Sequence, residues 1–433
     1  VQYDEALAYL DGHINREARA GVYDDLSLDA MHELAGLWGD PHRAYRVIHI
    51  TGTNGKGSTA RMVTRLLLAH GLRVGTYTSP HVEEYTERLR LDDEPIAPEE
   101  FGRLIGELAD VEPLLTHRPS HFECLTAIAL SWFAQCAVDV AVVEVGVLGR
   151  YDATNIVDAD VAVVTNIGSD HTDFGEAWRE RIAREKAGII KPSSTLVLGE
   201  TDPELRPIFL AEGPVDAWIR GEDFDATGNR LAVGGRLCDL RTRYQHLEEV
   251  FVPLHGAHQG DNAVVALAAA EAFFGRAVAP DVAATAFATV EVAGRFEVLG
   301  RNPLVIIDGA HNLEGAVAAG AVFREGFAPA GRRILVVGML VGRDHAAMLR
   351  AFGAAEFDLV VTCAPESPRA LSAEELAAVA TAEGCTAVPA ADVETALDEA
   401  LRGAGAEDLV FVSGSLYLVG SARRLLRRRL GRA

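Results

Sequence analysis

The sequence predicts an α/β protein: a doubly wound, P-loop ATPase-type domain followed by a smaller Rossmann-like α/β domain. Three observations predict it. Short apolar, β-branched runs recur with helical patterns between them. A glycine-rich turn follows the first run. A second series of runs begins near residue 303. Apolar runs of this length fit strands buried on both faces of a parallel sheet, and strands alternating with helices are how such a sheet is wound.

The elements follow in order. Residues 47–50 (VIHI) make the first strand, and Met62, Val63, Leu66 and Leu67 recur at helical spacing after the glycine turn. Residues 138–145 (VDVAVVEV) form a near-continuous apolar strand whose end carries Glu144, and residues 161–167 (VAVVTNI) form another. Residues 196–255 are richer in Gly, Asp and Arg and read as strands and loops at the edge of the first domain. The second series comprises residues 304–307, 334–337, 359–361 and 409–412. Turn formers cluster at Gly300, Arg301, Asn302 and Pro303, so the domains are expected over 1–298 and 299–433.

The 433 residues carry a net charge of −23, which disfavours wrapping nucleic acid or lying on an anionic membrane. Phosphates must then be held locally, by backbone amides, a few cations or metal ions. Arg423, Arg424, Arg427, Arg428 and Arg429 read as the basic end of a terminal helix, complementing its dipole. The five cysteines are scattered and lack a CxxC pair, as expected of reduced thiols. No basic-then-apolar leader opens the chain, and no apolar run reaches the ~18 residues of a membrane span. A cytoplasmic protein without a nucleic-acid or membrane partner is expected.

The strongest local signal is Thr51-Gly52-Thr53-Asn54-Gly55-Lys56-Gly57-Ser58-Thr59, between a strand and a helix. Glycines let a backbone turn tightly against phosphate oxygens, and amides at a helix N-terminus point at the anion. Lys56 supplies a mobile charge, and Ser58 or Thr59 a hydroxyl. Thr53, Asn54, Gly55, Lys56, Gly57, Ser58 and Thr59 are therefore candidate nucleotide-binding residues.

This loop resembles that of the Mur ligase superfamily in its folylpolyglutamate synthase/dihydrofolate synthase form. The resemblance continues, in order, through Thr78-Ser79-Pro80-His81, Glu87-Arg88, Phe122-Glu123, Glu144-Val145-Gly146 and Gly149-Arg150-Tyr151-Asp152-Ala153-Thr154-Asn155. It then runs through Asp170-His171, Glu185-Lys186-Ala187-Gly188-Ile189, His258-Gln259 with Asn262, Gly294-Arg295, Asp308-Gly309-Ala310-His311-Asn312 and Gly414-Ser415-Leu416-Tyr417. It implies a Mur ligase-like fold and ATP-dependent joining of L-glutamate to a folate through an acyl phosphate. It also implies magnesium at two sites, with potassium as a possible monovalent cation, and a monomer.

The resemblance assigns roles residue by residue. Ser79 and Glu144 match ligands of the nucleotide-bound magnesium. His171 matches a ligand of a second metal, with Asp170 beside it as the harder donor. Lys186 matches a lysine that carbon dioxide can carbamylate, the alternative being an ordinary helix lysine paired with Glu180 or Glu185. Asn262 and Arg295 match nucleotide contacts from the first domain, and Asp308 a ribose contact from the second. His311 matches a residue near the glutamate amine, to orient or deprotonate it, and Ser415 a glutamate contact. Asp152 matches the residue that holds a pterin, with capping of Thr154 as the alternative. Lys56, Lys186 and His311 are the candidate catalytic residues. Two departures bear on whether dihydropteroate is also an acceptor: Leu148 stands where the family has glycine, and residues 21–37 lack a Leu-Asp-Leu-Gly-Leu type stretch. A Mur-type ligase for another pterin or a cell-wall acceptor, and a P-loop switch or motor, are the competing readings.

Overall fold

The apolar runs fold into three sheets in the computed structural model, which describes residues 1–15, 27–147, 149–169, 175, 177–327 and 329–429. The chain forms two compact units. One comprises Val1–Ala232, Arg236–Pro253 and His258–Glu291; the other comprises Val233–Gly235, Leu254–Ala257 and Val292–Ala433.

In the first unit, strands β1 (Arg46–Thr51), β2 (Val74–Tyr77), β3 (Leu89–Leu91), β4 (Glu94–Pro95), β5 (Val140–Glu144), β6 (Val161–Val164), β7 (Thr195–Leu198) and β8 (Asp216–Ile219) build one sheet. Their order is β4-β3-β2-β5-β1-β6-β7-β8. The six strands from β2 to β8 in that order run parallel, and the β3–β4 hairpin is antiparallel. All five residues of β5 and all four of β6 are buried, the burial on both faces that a parallel sheet demands. Helices Pro98–Val111 and His121–Gln135 share a core with Val47, Ala141 and Val143. Helix Lys56–Ala69 packs against helix His258–Phe274. Its residues Met62, Val63, Leu66 and Leu67 are buried, as their spacing predicts. Residues 196–255 give β7 and β8, then a separate antiparallel sheet of β9 (Asp225–Ala232), β10 (Gly235–Arg241) and β11 (His246–Val252).

The second unit holds β12 (Glu297–Arg301), β13 (Leu304–Ile307), β14 (Arg333–Val337), β15 (Leu359–Thr362), β16 (Ala387–Pro389) and β17 (Leu409–Ser413), in the order β12-β13-β17-β14-β15-β16. Only β12 is antiparallel to its neighbour. Gly300 to Pro303, expected as the join, make the β12–β13 hairpin instead, and the units part between Glu291 and Val292. The reason is local: Asn-Pro turn chemistry serves a tight hairpin as readily as a linker.

Two arginines of helix Leu416–Arg429 meet carboxylates of their own unit. Arg423 Nε lies 2.8 Å from Glu297, and Arg429 contacts Asp398 at 2.7 Å. All five cysteines are free thiols. Among the described residues, no helix is long and apolar enough to cross a membrane.

Candidate functional site

Strands β1 and β6 lie side by side, and the chain leaves them in opposite directions: β1 leads through helix Lys56–Ala69 to β2, and β6 through helix Trp178–Ala187 to β7. Between such strands, beyond their carboxyl ends, an α/β sheet opens its crevice. The glycine loop occupies this place. Gly52 has φ 147°, and a Cβ there would fall 1.8 Å from Thr165 Oγ1. Gly55 has φ 81°, and a Cβ there would fall 2.3 Å from Asn262 Oδ1. Both positions need glycine for conformation and for space.

The loop is fastened to the segment after β6. Thr53 N–H donates to Asn166 O at 3.0 Å, and Asn54 N–H to Asn166 Oδ1 at 2.9 Å. In return, Thr165 Oγ1 and Asn166 Nδ2 donate to Asn54 O at 2.7 and 3.0 Å, and Gly168 N–H donates to Thr53 Oγ1 at 2.9 Å. Glu200, at the end of β7, accepts from Ile167, Thr201 and Asp202 N–H at 2.7, 2.9 and 2.8 Å and so secures that segment. The sequence reading missed Thr165, Asn166 and Glu200. The run VAVV ends in polar Thr165 and Asn166, whose side chains bond the loop. The strand accordingly stops at Val164 rather than Ile167.

Lys56 opens the helix and folds back, donating to Gly52 O at 3.1 Å and Thr53 O at 3.3 Å. Lys186, buried in helix Trp178–Ala187, donates to the same Gly52 O at 2.9 Å. Two lysine ammonium groups thus converge on one carbonyl oxygen. Gly57, Ser58 and Thr59 follow in the helix; Ser58 and Thr59 are buried, and Thr59 Oγ1 has no hydrogen-bond partner.

Ser79 and Glu144 meet beside this helix. Ser79 N–H donates to Glu144 Oε2 at 3.1 Å, and Glu144 Oε2 lies 3.5 Å from where a Cβ on Gly57 would stand. Ser79 Oγ is buried with no hydrogen-bond partner. A stranded hydroxyl against a buried carboxylate fits a hard divalent cation, which takes oxygen ligands and keeps several from water or phosphate. Among the described residues there is no cluster of three or more His, Cys, Asp or Glu that could hold a metal ion. Asp170, His171 and Leu148 lie outside the described residues, as do residues 16–26 of the N-terminal stretch.

The loop carrying Asp152 interlocks with the helix of Lys186. A Cβ on Gly149 would fall 2.6 Å from Glu185 O, and Arg150 N–H donates to Glu185 O at 2.8 Å. Asn155 Nδ2 donates to Arg150 O at 2.8 Å and Gly188 O at 3.1 Å. Asp152 itself is buried. Its Oδ1 accepts from Thr154 N–H at 3.0 Å and Thr154 Oγ1 at 2.5 Å, and its Oδ2 from Val147 N–H at 2.9 Å. Burial pushes its pKa up, and these donors pull it back. The capping interaction weighed from sequence is present, and the same carboxylate retains lone-pair capacity beyond those bonds.

In the second unit, Asp308 and His311 follow β13, and Ser415 follows β17. Asp308 accepts from Ala310 N–H at 3.0 Å and Phe296 N–H at 3.1 Å, and Ser413 Oγ donates to Asp308 O at 2.8 Å. Burial raises the Asp308 pKa, opposed first by the Arg295 guanidinium. Arg295 therefore sits with Asp308 in the second unit, not in the first domain as expected from sequence. His311 Nδ1 lies 2.9 Å from Gly309 O; a carbonyl only accepts, so Nδ1 is the donor. Ser415 Oγ accepts from Leu418 N–H at 3.1 Å, where the last helix begins. In the first unit, Asn262 Nδ2 donates to Gln259 Oε1 at 3.0 Å, which aims Oδ1 at the glycine loop.

Residues 104–270 match the Mur ligase middle domain, and residues 294–416 the Mur ligase glutamate ligase domain. The chain is 38% identical to the dihydrofolate synthase/folylpolyglutamate synthase of Mycobacterium tuberculosis, over 93% of this chain and 91% of that protein. Escherichia coli FolC, in complex with DHPP and ADP, superposes with a TM-score of 0.85 at 32% identity, covering 99% of this chain and 98% of that one. A bifunctional folylpolyglutamate synthase/dihydrofolate synthase with Mn, AMPPNP and L-glutamate bound gives a TM-score of 0.83 at 32% identity, covering 99% and 98%.

Proposed function

The chain belongs to the folylpolyglutamate synthase/dihydrofolate synthase family of Mur ligases, and from that premise we propose that it joins L-glutamate to folates with conversion of ATP to ADP and phosphate. The observation that carries this reading is the 38% identity over nearly the full length of both chains.

A carboxylate must be activated before an amine attacks it. An oxygen of the acceptor's carboxylate attacks the γ-phosphorus of ATP, the bond to ADP breaks, and an acyl phosphate forms. The glutamate amine then attacks the acyl carbon, and phosphate leaves as the amine gives up a proton. The protein's part is positioning and charge neutralisation. Thr53 to Thr59 cradle the phosphates with loop amides and the helix N-terminus, and Lys56 swings from Gly52 O to the transferred phosphoryl group. Ser79 and Glu144 would hold a divalent cation, which would neutralise phosphate and carboxylate oxygens.

Lys186 is the proposed carbamylation site. As an ammonium it repels Lys56 across a shared carbonyl; as a carbamate it turns that repulsion into attraction and offers oxygens to a second metal with His171. A monovalent cation such as potassium adds to the same charge balance. Asn262, Arg295 and Asp308 serve the nucleotide. Asp152 accepts from pteridine N–H groups. His311 Nε2 orients the incoming amine or takes its proton, and Ser415 bonds the amino acid. Dihydropteroate is proposed as a second acceptor, and the enzyme as a monomer.

The test is glutamate-dependent ADP release by purified protein with magnesium, potassium and bicarbonate, offering tetrahydrofolate and dihydropteroate in parallel. Product masses should rise by one glutamyl residue. Turnover with tetrahydrofolate alone removes the second acceptor, and turnover with neither overturns the reading.

A further inference from the structure

His49 sits in the middle of β1, fully buried, on the strand that ends in the nucleotide loop. Its neighbours along the strand, Val47, Ile48 and Ile50, are apolar. An imidazole here has a definite cost: Nδ1 is buried and has no hydrogen-bond partner. A buried polar atom without a partner destabilises, and an apolar side chain of similar size would avoid it. The other nitrogen has one contact, Nε2 at 2.8 Å from Thr154 Oγ1.

The direction of that contact follows from the next one. Thr154 Oγ1 donates to Asp152 Oδ1 at 2.5 Å, which uses its single hydroxyl proton. Thr154 Oγ1 must then accept from His49, which fixes Nε2–H as the ring's proton. Burial keeps the ring neutral, its pKa pushed down to about 3, so the N–H is present at every working pH. The result is a one-way chain, His49 N–H to Thr154 O–H to Asp152 carboxylate, from the nucleotide strand to the acceptor loop.

We propose that His49 is a positioning residue for the acceptor: through Thr154 it fixes the orientation of Asp152, and so sets affinity for the pteridine without touching it. This rests on the reading of Asp152 as the pteridine contact given above. A donor that receives a hydrogen bond donates a stronger one, so losing His49 weakens the Thr154–Asp152 bond and frees the threonine hydroxyl to turn.

The test is steady-state kinetics of H49L, H49Q, T154A and D152N beside wild type, reading three KM values and kcat. Losing one hydrogen bond in the chain should raise the acceptor KM in H49L by about tenfold. The ATP and glutamate KM values should stay within about twofold of wild type. H49Q, whose amide carries an N–H to the same region, should recover most of the loss, which simple disruption of the core would not allow. If H49L does not fold, T154A reads the same chain and should show the same pattern. An acceptor KM unchanged in both H49L and T154A, or all three KM values rising together, overturns the proposal. D152N separates it from its premise. If D152N raises the acceptor KM and H49L does not, the chain is wrong. If D152N itself leaves the acceptor KM unchanged, Asp152 is not the pteridine contact and the reading beneath the proposal falls.

Discussion

Replacing Gly55 by alanine should strike the nucleotide loop without touching any ionisable group. Gly55 has φ 81°, in the left-handed region. Holding an alanine there costs about 1–2 kcal/mol. The new Cβ would also stand 2.3 Å from Asn262 Oδ1, so the Asn262 amide must move off its 3.0 Å bond to Gln259, at about 1 kcal/mol. If nucleotide binding needs the native loop, these terms together weaken ATP by about 30- to 150-fold. Calorimetric titration with a non-hydrolysable ATP analogue measures it directly. The N262A background separates the terms: with the clash removed, alanine at 55 should cost only its dihedral share, about 1–2 kcal/mol, giving a coupling near 1 kcal/mol across the cycle. A G55A protein that binds the analogue as wild type does, or effects that add without coupling, would refute the argument from loop geometry.

Further outcomes follow from the same structure. S79A should leave thermal stability unchanged or slightly raised, because it deletes a buried hydroxyl that has no partner, while the magnesium needed for half-maximal activity rises by about tenfold or more; unchanged metal dependence would count against Ser79 as a ligand. E200Q keeps the shape of the carboxylate but not its charge toward three backbone N–H donors, so the first unit should lose about 1–3 kcal/mol in denaturant unfolding, with a higher ATP KM. The pH dependence of His49 has a definite sign. The folded ring has its pKa near 3 and the unfolded ring near 6.5, so the unfolded state takes up the proton first and stability falls as pH drops through 6.5. At pH 5 the loss relative to pH 7.5 is about 2 kcal/mol. H49Q should lack this increment in unfolding free energy, and identical slopes in the two proteins would contradict it.

Much of the fold is legible in the sequence because the two large sheets are buried on two faces. Every residue of β5, β6 and β17 is buried, so each reads as a near-continuous apolar run. The small antiparallel sheet is less distinct because β9 has no fully buried residue and its pattern is mixed. The glycine loop announced itself through residue types that only phosphate binding needs in that context. What fastens it did not. Thr165, Asn166 and Glu200 lie more than 110 residues along the chain, and their identity as fasteners depends on β6 being next to β1, a topological fact that no local pattern encodes. Arg295 shows the same limit in reverse: its motif was visible, but its place beside Asp308 depended on where the units part.

The bonds from Thr53 and Asn54 to Asn166 also bear on how fast a nucleotide is captured. A loop that must first find its shape spends time, and conformational entropy, searching after each encounter. Here that search is completed when the chain folds, and it is not repeated at each turnover. ATP should therefore associate in a single kinetic phase, linear in concentration, with a small change in heat capacity. Substitutions at Asn166 should appear first as a slower, saturating association and only later as faster release.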